Sequence, residues 1–233
     1  MSMRKVSFVS GEFFHLYNRG NSKQEIFLDK EDYQRFIKFL YLSNSEKNVR
    51  FRDDIIAKHI DAFDFDRGKT LVDIGAYTLM PNHFHLYILA PKQGLGEEKR
   101  EEDLNNVAKF MLKLCTSYSK YFNKKYNRTG KLFEDKFKSV HIVTENQAKY
   151  LFSYIHLNPI KLIQSDWKEN GIRDKDEALK FLNDYKWSSY DYYQGIKKDE
   201  NKILNLENFV NYFPDPESFR KEIFEWLSKG DEL

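Results

Sequence analysis

His83 and His85 stand two residues apart inside the run YTLMPNHFHLYIL, Tyr77 to Leu89. If the residues after Pro81 form a β-strand, side chains alternate between faces and the two imidazoles point the same way. Two parallel imidazoles on one strand make a half-site for a divalent metal. An edge strand with two solvated histidines is the competing reading of the same pair. Tyr154 and Asn158 supply a second pair of groups. On a helix they share a line with Tyr150, so a phenol and an amide can reach one point in space. A tyrosine, an amide oxygen and two imidazoles around one cation suit phosphodiester transfer. The cation, held by His83, His85 and the side-chain oxygen of Asn158, would polarise a non-bridging oxygen of the phosphate. Tyr154 would attack phosphorus and form a covalent phosphotyrosine, conserving the bond energy for rejoining. A free phenol has a pKa of about 10, so a nearby metal and lysine are needed to favour the phenolate. The mixed donor set is compatible with Mg2+ or Mn2+.

The elements that must position these groups can be read in turn. Phe13 to Asn18 alternates as a first strand, and Gly20 lies in the turn after it, where positive φ is available to glycine. Asp29 can cap a helix that carries Tyr33, Phe36, Ile37, Leu40 and Tyr41 on one stripe. Residues 45–70 show no sustained period and read as a long, partly ordered insertion. Leu71 to Leu79 forms a second strand, joined to the histidine strand by the short Met80-Pro81-Asn82 link of an antiparallel hairpin. The acidic run Glu97 to Asp103 reads as a solvated helix start. Leu104, Val107, Ala108, Met111, Cys115, Tyr118 and Phe122 then follow at helical spacing, which makes Cys115 a core residue rather than a nucleophile. Phe137 to Val143 alternates again. Thr144 with Gln147 three residues on resembles a capping box, opening a helix from Glu145 to about Leu157 that stops before Pro159. Ala148, Leu151, Phe152 and Ile155 form its buried stripe. Beyond about residue 165 the pattern weakens, with helices expected from Asp174 to Leu182 and from Asp215 to Leu227.

Composition bounds the function classes. The chain has 233 residues, 41% hydrophobic and 32% charged, with a formal net charge of +2. That balance argues against a simple polycation. One cysteine rules out a disulfide framework and a cysteine zinc site. The absence of a long apolar run or an apolar leader makes the cytoplasm the expected location, with no membrane partner. Charge is nevertheless uneven: nine Lys and Arg against Glu134 and Asp135 lie between Lys109 and His141. This basic stretch also holds Tyr118, Tyr121, Phe122, Tyr126, Phe133 and Phe137, which suits a nucleic-acid groove of cations for phosphates and rings for bases. A solubilising lysine face is the alternative. Arg19, Arg128, Lys131, Lys136 and Lys138 are the expected nucleic-acid contacts.

Four ordered motifs now carry a resemblance. His83-Phe84-His85 matches the His-hydrophobic-His (HUH) motif, and its setting, Leu79 to Leu86, resembles the REP-associated tyrosine transposases, a branch of the single-tyrosine HUH transposases. Phe14-His15-Leu16-Tyr17-Asn18-Arg19-Gly20-Asn21, Gly130-Lys131-Leu132-Phe133-Glu134-Asp135-Lys136-Phe137-Lys138 and Ser153-Tyr154-Ile155-His156-Leu157-Asn158-Pro159 match in the same order. The resemblance spans roughly residues 10–165. It implies Tyr154 as nucleophile, His83 and His85 as metal ligands and Asn158 as the third ligand. It implies an α+β fold, a ferredoxin/RRM-like antiparallel sheet with helices on one face, here followed by a mainly helical C-terminal extension. The implied domains are 1–165 for the HUH endonuclease and 166–233 for the extension. The implied activity is metal-dependent cleavage and rejoining of single-stranded DNA near hairpins, through a 5′-phosphotyrosine. A domesticated or non-catalytic protein that binds hairpin DNA or RNA is the alternative. Monomer and homodimer both stay open. Tyr150 and His156 are expected to pack, and His15, His59 and His141 to be structural or solvated.

Overall fold

A computed structural model describes residues 8–91 and 106–228. Four strands form one antiparallel sheet in the order β2-β3-β1-β4. They are β1 (Phe13–Arg19), β2 (Asp73–Met80), β3 (His83–Leu89) and β4 (Lys138–Ile142). Alternation assigns the two faces. Phe14 and Leu16 of β1 and Phe84, Leu86 and Ile88 of β3 are all fully buried on one face. His15 and Tyr17 of β1 stand opposite Tyr87 and His85 of β3 on the other. A bulge between Ile74 and Ala76 keeps Ile74, Tyr77 and Leu79 of β2 on the first face despite their spacing. The antiparallel hairpin expected between β2 and β3 forms, with Met80 closing β2 and only Pro81 and Asn82 outside the strands.

The first face is covered by α1 (Lys30–Ser43) and α2 (Asn106–Lys125). Asp29 caps α1, its carboxylate accepting from Asp32 N at 3.0 Å. Asp32 is itself fully buried and accepts from Leu28 N, Tyr121, Tyr126 and Lys125. This carboxylate ties α1 to the end of α2, and its lone pairs are met by donors, as a buried charge requires. The rings Phe36, Phe84, Phe110, Tyr118 and Phe122 close the core between the helices and the sheet. Each contributes about 1.5–3 kcal/mol through burial. The acidic run 97–103 and Leu104 lie outside the described residues.

Two expectations change. Residues 45–70 are folded rather than partly ordered: a π-helical turn at Phe51–Ile56 and a 3-10 turn at Ala62–Asp64 insert Ile55, Ala62 and Phe63 into the main core. Asn44 anchors the far end of the segment, its Oδ1 accepting from Leu71 N and Val72 N at 2.9 and 3.0 Å. Short turns with one or two buried residues each leave no period to read. Gly20 has φ −62°, so it needs no left-handed backbone. Its requirement is close approach, since a Cβ there would fall 2.1 Å from Gln24 O.

The second face carries α3 (Glu145–Leu157) and the C-terminal helices α4 (Trp167–Asn170), α5 (Lys175–Asp184), α6 (Tyr190–Tyr193) and α7 (Pro216–Ser228). Trp167, Ala178, Leu182, Tyr190, Phe219 and Ile223 share one core with Ala148, Leu151, Phe152 and Ile155 of α3 and Ala76 and Tyr87 of the sheet. The free edge of β2 is capped by the same part of the chain. Leu79 N donates to Trp187 O at 2.9 Å and Ser189 N donates to Tyr77 O at 3.0 Å. Among the described residues, no helix is long and apolar enough to cross a membrane.

Candidate active site

On β3, His83 and His85 project from the same face, their ring centroids 5.0 Å apart. Asn82 orients the first imidazole: its Nδ2 donates to Lys23 O, so its Oδ1 faces His83 Nδ1 at 2.6 Å. An amide oxygen only accepts, so Nδ1 of His83 carries the proton and Nε2 keeps its lone pair. His85 Nδ1 lies 2.8 Å from His15 Nε2, while His85 Nε2 is buried without a partner. Burial keeps these rings neutral. It pushes His15 and His83 down to about 4 and His85 well below the ordinary histidine value, with the nearby cations Lys168 and Lys161 adding to the effect.

On α3 the capping box forms as expected. Thr144 Oγ1 accepts from Gln147 N at 3.2 Å, and Gln147 Oε1 accepts from Thr144 N at 3.2 Å. It fixes the start of a helix whose last turn holds Tyr154 over the sheet. The Tyr154 ring lies 5.4 Å from His85 and 6.3 Å from His15, and it stacks on Tyr150 at 6.1 Å with the planes 2° apart. Asn158 is buried directly after the helix, and its Oδ1 has no hydrogen-bond partner. Its amide lies against both the His83 ring and the Tyr154 phenol. Burial raises the phenol above its ordinary value, and Asn158 opposes that shift. The helix thus brings Tyr154 and Asn158 to the same side of the sheet as both imidazoles.

The side chains gathered here are of types that can ligate a divalent cation. Two buried polar atoms have no partner, His85 Nε2 and Asn158 Oδ1, and Asn158 lies against His83 and Tyr154. Buried polar atoms are rarely left unpaired, and a ligand is one reason for it. Among the described residues no cluster of three His, Cys, Asp or Glu side chains is arranged to hold a metal. The candidate set is two imidazoles and one carboxamide, which are neutral ligands.

Several site residues escape the sequence reading. His15, expected to be structural or solvated, is a partner of His85, and Tyr17 lies 5.7 Å from the same ring. Lys168 Nζ sits 3.8 Å above the Tyr154 ring. Parity on β1 places His15 and Tyr17 on this face; no local pattern announces Lys168, which arrives from beyond α3. His156 packs as expected, with Nδ1 donating to Phe152 O at 2.9 Å and Nε2 accepting from Ser189 Oγ at 2.8 Å.

The expected DNA contacts divide. Lys131, Lys136 and Lys138 are exposed and, with Tyr17, Asn18 and Arg19, line a cavity of about 570 Å³ next to the imidazoles. Arg19 is engaged by Glu134 in a two-point ion pair. Arg128 is turned away from solvent, bonded to Gln24 Oε1 at 3.0 Å and lying over Phe122. The rings expected to stack on bases are mostly core: Tyr118, Phe122 and Phe133 are buried, and Tyr121 and Tyr126 bond Asp32. Lys125 also belongs to that network, paired with Asp29, Glu31 and Asp32.

No family model and no curated protein matches the sequence. Among solved structures, the chain is similar to a REP-associated tyrosine transposase bound to a REP hairpin, with a TM-score of 0.44 and 14% identity over 86% of this chain and 90% of that one. It is also similar to a candidate transposase from Deinococcus radiodurans R1, with a TM-score of 0.31 and 12% identity over 66% of this chain and 95% of that one.

Proposed function

We propose that the protein is a DNA strand transferase of the transposase type, which cleaves and rejoins single-stranded DNA near hairpins with Tyr154 as nucleophile. One observation carries the reading: the Tyr154 ring lies 5.4 Å from His85, with the Asn158 amide against the phenol. The four ordered sequence motifs support it. In the step, Tyr154 Oη forms a bond to phosphorus and the bond from phosphorus to the 3′-oxygen breaks. The phenol gives up its proton to water, and the departing 3′-oxygen takes one up as a hydroxyl. The product is a 5′-phosphotyrosine, and attack by another 3′-hydroxyl reverses the step on a new strand. Asn158 supports the phenolate by its amide, while stacking on Tyr150 holds the ring in line. His83, His85 and Asn158 would hold Mg2+ or Mn2+, which when bound supplies Lewis-acid polarisation of the phosphate. Lys131, Lys136 and Lys138 would carry the strand through the neighbouring cavity.

The test is a covalent adduct between purified protein and a panel of hairpin-flanked single strands, with Mg2+ or Mn2+. Wild type is expected to give an adduct stable to denaturant, and Tyr154→Phe none. An adduct that survives Tyr154→Phe refutes the nucleophile. Hairpin binding that is equal in chelator, with no adduct under either metal, identifies a binding protein instead.

A further inference from the structure

The charge around Tyr154 is one-sided. The ionic charges that act on the three imidazoles are Lys161, Lys168 and Arg19, all cations. Arg19 is already neutralised by Glu134. The two lysines are not. Among the described residues neither forms an ion pair with a carboxylate, and Asp166, which is near in sequence, is spent on Arg173. Lys168 is half-buried, and Lys161 is close enough to oppose its charge, against a weaker pull from Glu169. Two like charges held together beside neutral rings cost free energy unless an anion joins them. A metal on three neutral ligands would deepen the imbalance rather than relieve it.

We propose that Lys168, with Lys161 beside it, is the anion-holding residue of this site: from 3.8 Å above the Tyr154 ring its ammonium takes a non-bridging oxygen of the scissile phosphodiester and keeps it at the phenol. The proposal rests on the reading of Tyr154 as a nucleophile toward DNA. It adds a residue from α4, outside the four motifs, and so makes the C-terminal part a contributor to the chemistry. A cation over the ring face also favours the phenolate that attack requires. Lys131, Lys136 and Lys138 differ in role, since they flank Tyr17 at the cavity rather than the nucleophile.

Two measurements test it. The first uses Tyr154→Phe protein in chelator, binding a fluorescein-labelled oligothymidylate over a range of salt. Lys168→Met in that background is expected to weaken binding and to make the log–log salt slope shallower by about 0.7, one phosphate contact on a single strand. Lys168→Arg is expected to keep the slope. The second measures adduct formation by protein with Tyr154 intact. Lys168→Met is expected to slow it about 10²-fold, the scale for removing one preorganised charge at a reacting oxyanion. Lys168→Arg recovers part of the rate, and Lys161→Met slows it less. Lys221→Met, on the exposed face of α7, leaves it unchanged. Unchanged slope and unchanged rate in Lys168→Met would show a lysine that only covers the ring, and the proposal falls while Tyr154 stands. A shallower slope with no adduct from any wild-type reaction keeps the phosphate hold and removes the strand-transfer reading. Should Lys168→Met not fold, the comparison of Lys168→Gln with Lys168→Arg, and Lys161→Met, decides the same question.

Discussion

His15 lies in β1, and its Nε2 stands 2.8 Å from His85 Nδ1. If His85 Nδ1 is the donor, His15 holds the tautomer that leaves His85 Nε2 as a bare lone pair toward Asn158. Partners of this kind orient a ligating ring, and their loss weakens metal binding by about 10–100-fold. His15→Ala is therefore expected to lower Mn2+ affinity by at least about 10-fold, read by calorimetry on Tyr154→Phe protein carrying an oligonucleotide. An unchanged affinity would show that His85 keeps its orientation without help. Tyr17 and His15 both follow from the alternation of β1, and the register that sets Tyr17 against His85 was the missing piece. A strand's parity is legible in its sequence; its neighbour in the sheet is not.

At the scale of elements, α3 is held at both ends by different chemistry. Its start is a local device, the Thr144–Gln147 box, and was legible because both partners are three residues apart. Its end is fixed through His156, which bonds Ser189, while Ser189 Oγ also accepts from Tyr77 N at 3.0 Å. That connection joins three segments distant in sequence, so no spacing announces it. Burial lowers His156 to about 3. Its ordinary value is about 6.5, so the unfolded chain takes up the proton first. Stability from this group is fully present above about 6.5 and is lost as pH falls toward about 3, with a slope of up to about 1.4 kcal/mol per pH unit. His156→Asn is expected to lack one proton of that dependence, measured as urea stability against pH. Equal slopes in both proteins would place the acid sensitivity elsewhere. The same limit explains the aromatic residues of the basic stretch. Tyr118, Phe122 and Phe133 satisfy the composition of a base-stacking groove, yet the stripe of α2 turns Tyr118 and Phe122 into the core, and Phe133 is buried there too. Helical spacing was evident in the sequence and outweighs composition when the two disagree.

For the molecule as a whole, the boundary near residue 165 separates no independent cores. Trp167, Leu182, Tyr190, Phe219 and Ile223 are buried against α3 and the sheet. Their burial is worth on the order of 10 kcal/mol, comparable with the net stability of a domain. A chain ended at residue 165 is expected to aggregate and to show no cooperative unfolding transition, by size exclusion and near-ultraviolet circular dichroism. A monomeric, cooperatively melting fragment would refute this. The capping of the β2 edge by Trp187 and Ser189 also has a meaning in time. Synthesis runs from the N-terminus, and all four strands precede residue 143. A nascent chain can therefore pair its sheet and present both histidines early. Tyr154 emerges next, on a helix with nothing yet behind it, and the lysine that stands over its ring comes after. The segments that press this helix home are made later still. The chain carries the Tyr154 phenol for an interval before it carries the means to hold it in place.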